Sequence, residues 1–238
     1  MKSFSKFISA AIALALVAGS ASSCVIRLNT KNFNYKAVKA EGALVTRTVV
    51  PQGSFSRISM AGSFDTEIIQ TDGETKIEVT TYESIQDYFK AKVSNSTLGL
   101  SFHSDTVNSF ELKDTRVVVY VNDLSGVSLA GSGDLKVPSL NTEGNFSVSL
   151  AGSGDMAVSS LTCADLEISL AGSGDVSVTG ISCNDLKATV AGSGDIVLGG
   201  NAAGNAKYSV AGSGDISAKG LKAGNVSASK AGSGNISY

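Results

Sequence analysis

The pentapeptide Ala-Gly-Ser-Gly-Asp begins at Ala130, Ala151, Ala171, Ala191 and Ala211, and a sixth copy at Ala231 ends in Asn235. The spacing is 21 residues once and 20 thereafter, and a degenerate copy, Ala-Gly-Ser-Phe-Asp, starts at Ala61. Self-similarity at such a period marks a stack of repeats rather than an ordinary globular core. Apolar residues alternate with small polar ones on both sides of each copy, as in Val127 and Leu129 before the first and Leu135 and Val137 after it. Period two means strands with one buried face. A unit this short cannot cover that face alone, whereas stacked units share one apolar column. Each unit is expected to contribute two short strands and two bends, with a second apolar group near Leu161, Leu166, Ile181 and Leu186.

The fold class expected is all-β: a single-stranded right-handed parallel β-helix with coils of about 20 residues over 125–238. Leucine-rich repeats have a similar period, but their Leu and Asn spacing is absent, and a propeller blade needs about 40 residues. Residues 45–124 are β-rich without the period. Thr71-Asp72-Gly73 reads as a turn between Ile68-Ile69 and Ile77–Val79, and Ser94-Asn95-Ser96 as one between Phe89–Val93 and Leu98–Phe102. This part is expected to be the irregular start of the β-helix, with hairpin excursions closing one end, or else a small separate sandwich.

At the N-terminus, Lys2 and Lys6 precede an apolar run from Ile8 to Ala18, too short to span a bilayer core. Ala21-Ser22-Ser23-Cys24 follows, so residues 1–23 read as a lipoprotein signal peptide and Cys24 as the lipidated residue. Ala21 departs from the commonest lipobox, where Leu stands. Residues 24–44 are expected to be a tether. Val25 stands after the cysteine where an aspartate would retain the protein at the inner membrane, which favours the outer membrane, on either its surface or its periplasmic side.

Gly131, Gly133 and their equivalents are expected to take positive φ at sharp bends. Asp134, Asp155, Asp175, Asp195 and Asp215 suit a structural turn role, each carboxylate accepting local backbone N–H groups. A calcium ladder is the competing reading, but one carboxylate per coil falls short of the roughly six to eight oxygens that Ca²⁺ takes. Cys163 and Cys183 stand one period apart, which in a stack brings them to about 4.8 Å, within disulfide range. A disulfide and a pair of buried thiols both fit. Ser128, Ser149, Ser169, Thr189, Ser209 and Ser229 form an outward ladder, suited to a second copy, a glycan or a protein.

The signal-bearing N-terminus, the Phe-x-x-Ile-x-Met-x-Gly element at Phe55 to Gly62 and the repeated Gly-Ser-Gly-Asp turns resemble the bacterial "putative auto-transporter adhesin, head GIN domain" family. That family is common in Bacteroidetes-type organisms. The resemblance covers residues 47–238 and implies a cell-envelope β-helix with an adhesin label and no catalytic residues to carry over.

Function classes can also be excluded. The chain has 19 basic and 21 acidic residues, net −2, and removing residues 1–23 takes away two lysines, giving 17 − 21 = −4. With no basic cluster, nucleic acid is not an expected partner. One histidine, His103, leaves most catalytic and metal constellations unbuildable, and no cofactor is expected. In residues 125–238 the lysines scatter and arginine is absent, unlike the clefts of polysaccharide-active β-helix enzymes. The expected function is non-enzymatic surface contact or adhesion, anchored to membrane by lipid. The alternative is a periplasm-facing structural lipoprotein of an envelope complex. Ile236-Ser237-Tyr238 shows no cap in sequence, so self-association through the column's side or end is also expected.

Overall fold

A computed structural model describes residues 37–238, apart from Asn108. The signal peptide, Cys24 and the first part of the tether lie outside the described residues. From Gly126 onward the chain winds as stacked parallel coils. Strand Gly126–Gly131 lies beneath Phe146–Gly152, which lies beneath Leu166–Gly172, with Ala130, Ala151 and Ala171 paired in register. The same register continues through Ala191, Ala211 and Ala231. The repeat motif is thus one vertical stripe of the column.

Each coil has three walls rather than two. After Phe146–Gly152 come Met156–Val158 and then a two-residue strand, Leu161–Thr162, before the next coil opens at Leu166. The third wall stacks in register as well, Leu140 on Leu161 and Leu161 on Ile181. All walls turn the same alternate positions inward, so Val148, Leu150, Met156, Val158, Leu161 and Leu166 are buried together. Fully burying a side chain of this size stabilises the fold by about 1.5–3 kcal/mol. Side-chain volume is shared between coils: Tyr208 is buried between Ala188 and Ala228 of the coils on either side.

Both glycines of the motif lie against a carbonyl of the coil below, Gly152 against that of Gly131 and Gly154 against that of Gly133, and only the first also takes a positive φ. Gly152 has φ +148°, open to glycine at little cost. Gly154 is not among the positive-φ glycines, contrary to expectation; it is needed because a Cβ there would run into the carbonyl oxygen of Gly133 in the coil below. Between them the bend aims its amides down the column. Ser153 and Gly154 donate to the Gly131 carbonyl at 3.0 and 3.2 Å, and Asp155 donates to Asp134 Oδ1 at 3.2 Å.

The N-terminal end extends the same walls with different pairing. Strand Arg57–Gly62 stacks on Gly126–Gly131, placing Ala61 of the degenerate copy on Ala130. Beyond it the first wall continues with Thr97–Phe102 and ends in an antiparallel partner, Phe89–Ser94. A second wall runs through Asp65–Gln70 and Arg116–Val121 to the antiparallel strands Lys76–Tyr82 and Leu44–Val49. The core is continuous from Ile77 and Leu98 to Ile216. Phe64, where the clean copies have the second glycine, is buried and meets the Phe102 ring edge-on at 5.2 Å, plugging the column.

Residues 37–44, expected in the tether, are built into this end. Ala37–Val38 pairs with Ser109–Phe110, and Ser84 Oγ donates to the Lys39 carbonyl while accepting from the Glu41 amide.

At the other end the column does have a cap. Lys230 occupies the stripe filled by Leu129, Leu150, Leu170, Val190 and Val210, and its ammonium donates to the Gly234 carbonyl at 3.1 Å. A charge in an apolar stripe discourages a further coil from stacking there.

Candidate functional site

The aspartates of the bend form a ladder between coils. Asp175 donates its backbone N–H to Asp155 Oδ1 at 2.9 Å, Asp195 to Asp175 at 2.9 Å, and Asp215 to Asp195 at 2.8 Å. Each carboxylate therefore accepts from the backbone N–H of the next coil rather than from one in its own turn. Asp134 starts the series on Asp65 and Asn235 ends it on Asp215. Every one of these carboxylates has a structural hydrogen bond. Among the described residues no group of three or more His, Cys, Asp or Glu side chains is arranged to hold a metal ion.

Cys163 and Cys183 occupy equivalent positions of adjacent coils as buried free thiols, next to the in-register pair Thr162 and Ser182. Burial pushes the Cys163 thiol up to about 12, with the neighbouring Cys183 adding to it, and burial pushes Cys183 up to about 11. Thiolate is the reactive form, so neither sulfur is an activated nucleophile. His103 sits at the far N-terminal end with its Nε2 3.4 Å from Asp105, away from both cysteines.

The serine ladder holds its register, but from Ser128 to Ser209 its members are half-buried and present a flat, small-residue wall. Beside that wall, at the corner where each coil turns into its longest strand, runs a groove of about 650 Å³. Two stripes line it. One is Arg57, Ser147, Glu167, Lys187 and Lys207, rising one coil at a time once Gly126 is passed. Gly126 gives the Arg57 guanidinium room to reach across and donate to Ser147 Oγ at 2.8 Å, because a Cβ there would collide with that hydroxyl. Lys187 donates to Glu167 at 2.7 Å, an exposed pair worth little to stability.

The second stripe is another ladder: Asp185 donates its N–H to Asp165 Oδ1, and Asn205 donates both backbone and side-chain N–H to Asp185 Oδ1 at 2.7 and 3.0 Å. Asp165, Asp185, Asn205 and Asn225 recur at the 20-residue period, so the signal was present in the sequence and went unread beside the stronger Gly-Ser-Gly-Asp stripe. The groove carries three cations, Arg57, Lys187 and Lys207, against three carboxylates, Asp165, Glu167 and Asp185. Phe146, Leu166 and Leu186 lie beneath and are buried. Such a surface offers donors and acceptors at one-coil intervals and suits an elongated polar ligand lying along the column.

A family model described as "Putative auto-transporter adhesin, head GIN domain" matches residues 54–238. No curated protein matches the chain. Among solved structures, a "putative adhesin" from Bacteroides fragilis NCTC 9343 is 24% identical with a TM-score of 0.67, over 84% of this chain and 98% of its own. A "Putative lipid binding protein" from Parabacteroides distasonis ATCC 8503 is 23% identical with a TM-score of 0.69, over 85% of this chain and 100% of its own. A "putative adhesin" from the same strain is 20% identical with a TM-score of 0.56, over 84% and 99%. At these identities the likeness is one of fold.

Proposed function

The chain belongs to the "putative auto-transporter adhesin, head GIN domain" family, and from that premise we propose that it is a non-enzymatic contact protein of the cell envelope. It is held to the outer membrane by acyl chains on Cys24 and presents the side of its column outward to a glycan or protein. The observation that carries this reading is the groove: a continuous, charge-balanced row of hydrogen-bonding side chains beside a flat wall, with its apolar residues covered. The geometry of attachment agrees with it. Residues 37–44 belong to the N-terminal end, so a tether from Cys24 reaches the column there and leaves the groove to the coils beyond. Among the described residues no helix is long and apolar enough to cross a membrane, and two or more acyl chains supply firm anchorage by themselves.

Cells carrying the chain, applied to arrays of glycans and matrix proteins, test the reading. Binding is expected to fall at least about tenfold in the double variant Lys187→Glu, Lys207→Glu, with the melting temperature unchanged. Equal retention of wild type and double variant on every bound spot would refute a role for the groove.

A further inference from the structure

A second concavity lies at the N-terminal end and has the opposite chemistry. It is a cleft of about 470 Å³ between the two closing antiparallel strands, Leu44–Val49 and Phe89–Ser94. Val49, Val79, Phe89 and Ala91 form an apolar floor, and of these Val49, Phe89 and Ala91 pack on the core while remaining partly open. Arg47, Lys90, Lys92 and His103 stand around it, and no carboxylate lines it. Two acids pair with these groups without lining the cleft. Asp87 pairs with Arg47 at 3.5 Å with both side chains well exposed, and Asp105 faces His103 at 3.4 Å. Lys90 donates to the Asp87 backbone carbonyl at 3.0 Å.

Lysines on an edge strand guard it against pairing with another chain, and Lys90 and Lys92 do that here. Edge protection does not account for the rest. It leaves unexplained why the strand opposite brings a further cation, Arg47, to the same cleft, and why the floor between them is apolar and concave. An exposed ion pair such as Arg47–Asp87 is worth at most about 1 kcal/mol, so a second anion competes for the guanidinium with little opposition. The volume falls within the roughly 300–1,000 Å³ of ordinary small-molecule sites, which combine an apolar lining with a few polar groups that fix orientation.

We propose that this cleft binds a single-chain anionic amphiphile, its acyl chain laid on Val49, Phe89 and Ala91 and its carboxylate or phosphate held by Arg47 and Lys90. The groove on the column side plays no part in it.

The test uses the full chain held in a non-ionic amphipathic polymer, with radiolabelled palmitate and lysophosphatidylglycerol as probes and uncharged glycerol monopalmitate as the control. One saturable site is expected for an anionic probe, with the uncharged control at least about tenfold weaker. Palmitate as the tighter probe identifies a carboxylate ligand, and lysophosphatidylglycerol a phosphate one. Arg47→Glu with Lys90→Glu should weaken the anion at least about tenfold, Ala91→Trp should fill the floor and abolish binding, and Lys187→Glu with Lys207→Glu should change nothing. Melting temperatures close to wild type keep these results separate from misfolding. Failure of both anions to bind, equal binding of the uncharged control, or indifference to Arg47→Glu with Lys90→Glu would overturn the proposal. So would an Ala91→Cys thiol shielded from maleimide before any probe is added, which would place another segment or a second copy in the cleft.

Discussion

The coils from Gly126 onward and the end built from residues 37–124 share one core and obey different rules. In the coils each strand rests in register on an equivalent strand, and a residue type is constrained by its own copy one period away. At the N-terminal end the partners become antiparallel and come from distant segments, as where Lys76–Tyr82 pairs with Leu44–Val49 on one side and Arg116–Val121 on the other. The difference shows what the repeat is for. Gly154 is glycine because a carbonyl lies beneath it; Phe64, at the same position of the lowest copy, has a ring because the strand beneath ends at Phe102 and leaves a hole to fill. Departures from the repeat, Phe64 at one end and Lys230 at the other, are the closures of the stack.

The largest expected effect breaks the stacked region and spares the other. Gly174→Ala puts a methyl into the Gly154 carbonyl of the coil below and should cost at least about 3 kcal/mol. Gly73→Ala, in the turn that joins Asp65–Gln70 to Lys76–Tyr82 at the N-terminal end, meets nothing nearer than Thr71 Oγ1 at 3.4 Å and should stay within about 0.5 kcal/mol of wild type. Urea denaturation of both variants makes the comparison. Phe64→Gly comes next. It makes the lowest copy match the consensus, yet it empties the plug, and a loss of about 3–5 kcal/mol is expected. A variant as stable as wild type would show that Phe64 closes nothing.

Smaller effects sharpen the contrast within the coils. Asp175→Ala removes the oxygen that accepts the Asp195 amide and should cost about 1–2 kcal/mol. Asp175→Asn keeps an acceptor oxygen for the Asp195 amide and should cost less.

The thiols give a pH test. Their folded pKa values, about 12 for Cys163 and about 11 for Cys183, lie above the unfolded value near 8.5. The native state therefore binds the protons more tightly, and this contribution is complete below about pH 8.5 and is lost as pH rises through the folded values. Stability should fall on the alkaline side, and Cys163→Ala with Cys183→Ala should flatten the fall. Thiol titration of the denatured, unreduced Cys24→Ser chain should find two reactive groups, Cys163 and Cys183; none would mean that the pair is bonded.

How much of this was legible in the sequence follows from the same contrast. The first two walls were readable because Val148, Leu150, Met156 and Val158 alternate beside a motif that repeats. The third wall was legible only as an apolar group recurring at Leu161 and Ile181, since a strand of two residues such as Leu161–Thr162 is too short to show a period of its own. Phe64 and Lys230 were visible as irregularities, but their roles depend on what lies above or below them. In the groove, Asp165 and Asp185 were one period apart and could have been found. Arg57 could not, because its partner Ser147 lies 90 residues away along the chain. The cleft was beyond reach for a similar reason: its two strands meet only through the antiparallel pairings that close the end.

The central functional claim is that the coils face outward from the cell. The most direct measurement is labelling of Lys207→Cys, an exposed groove position, with a membrane-impermeant maleimide on intact cells. The native chain is its own control, because Cys163 and Cys183 are buried and their thiols pushed up. Labelling of the variant to the same extent before and after the outer membrane is permeabilised is the predicted result. Labelling only after permeabilisation would place the groove in the periplasm and contradict the adhesin reading.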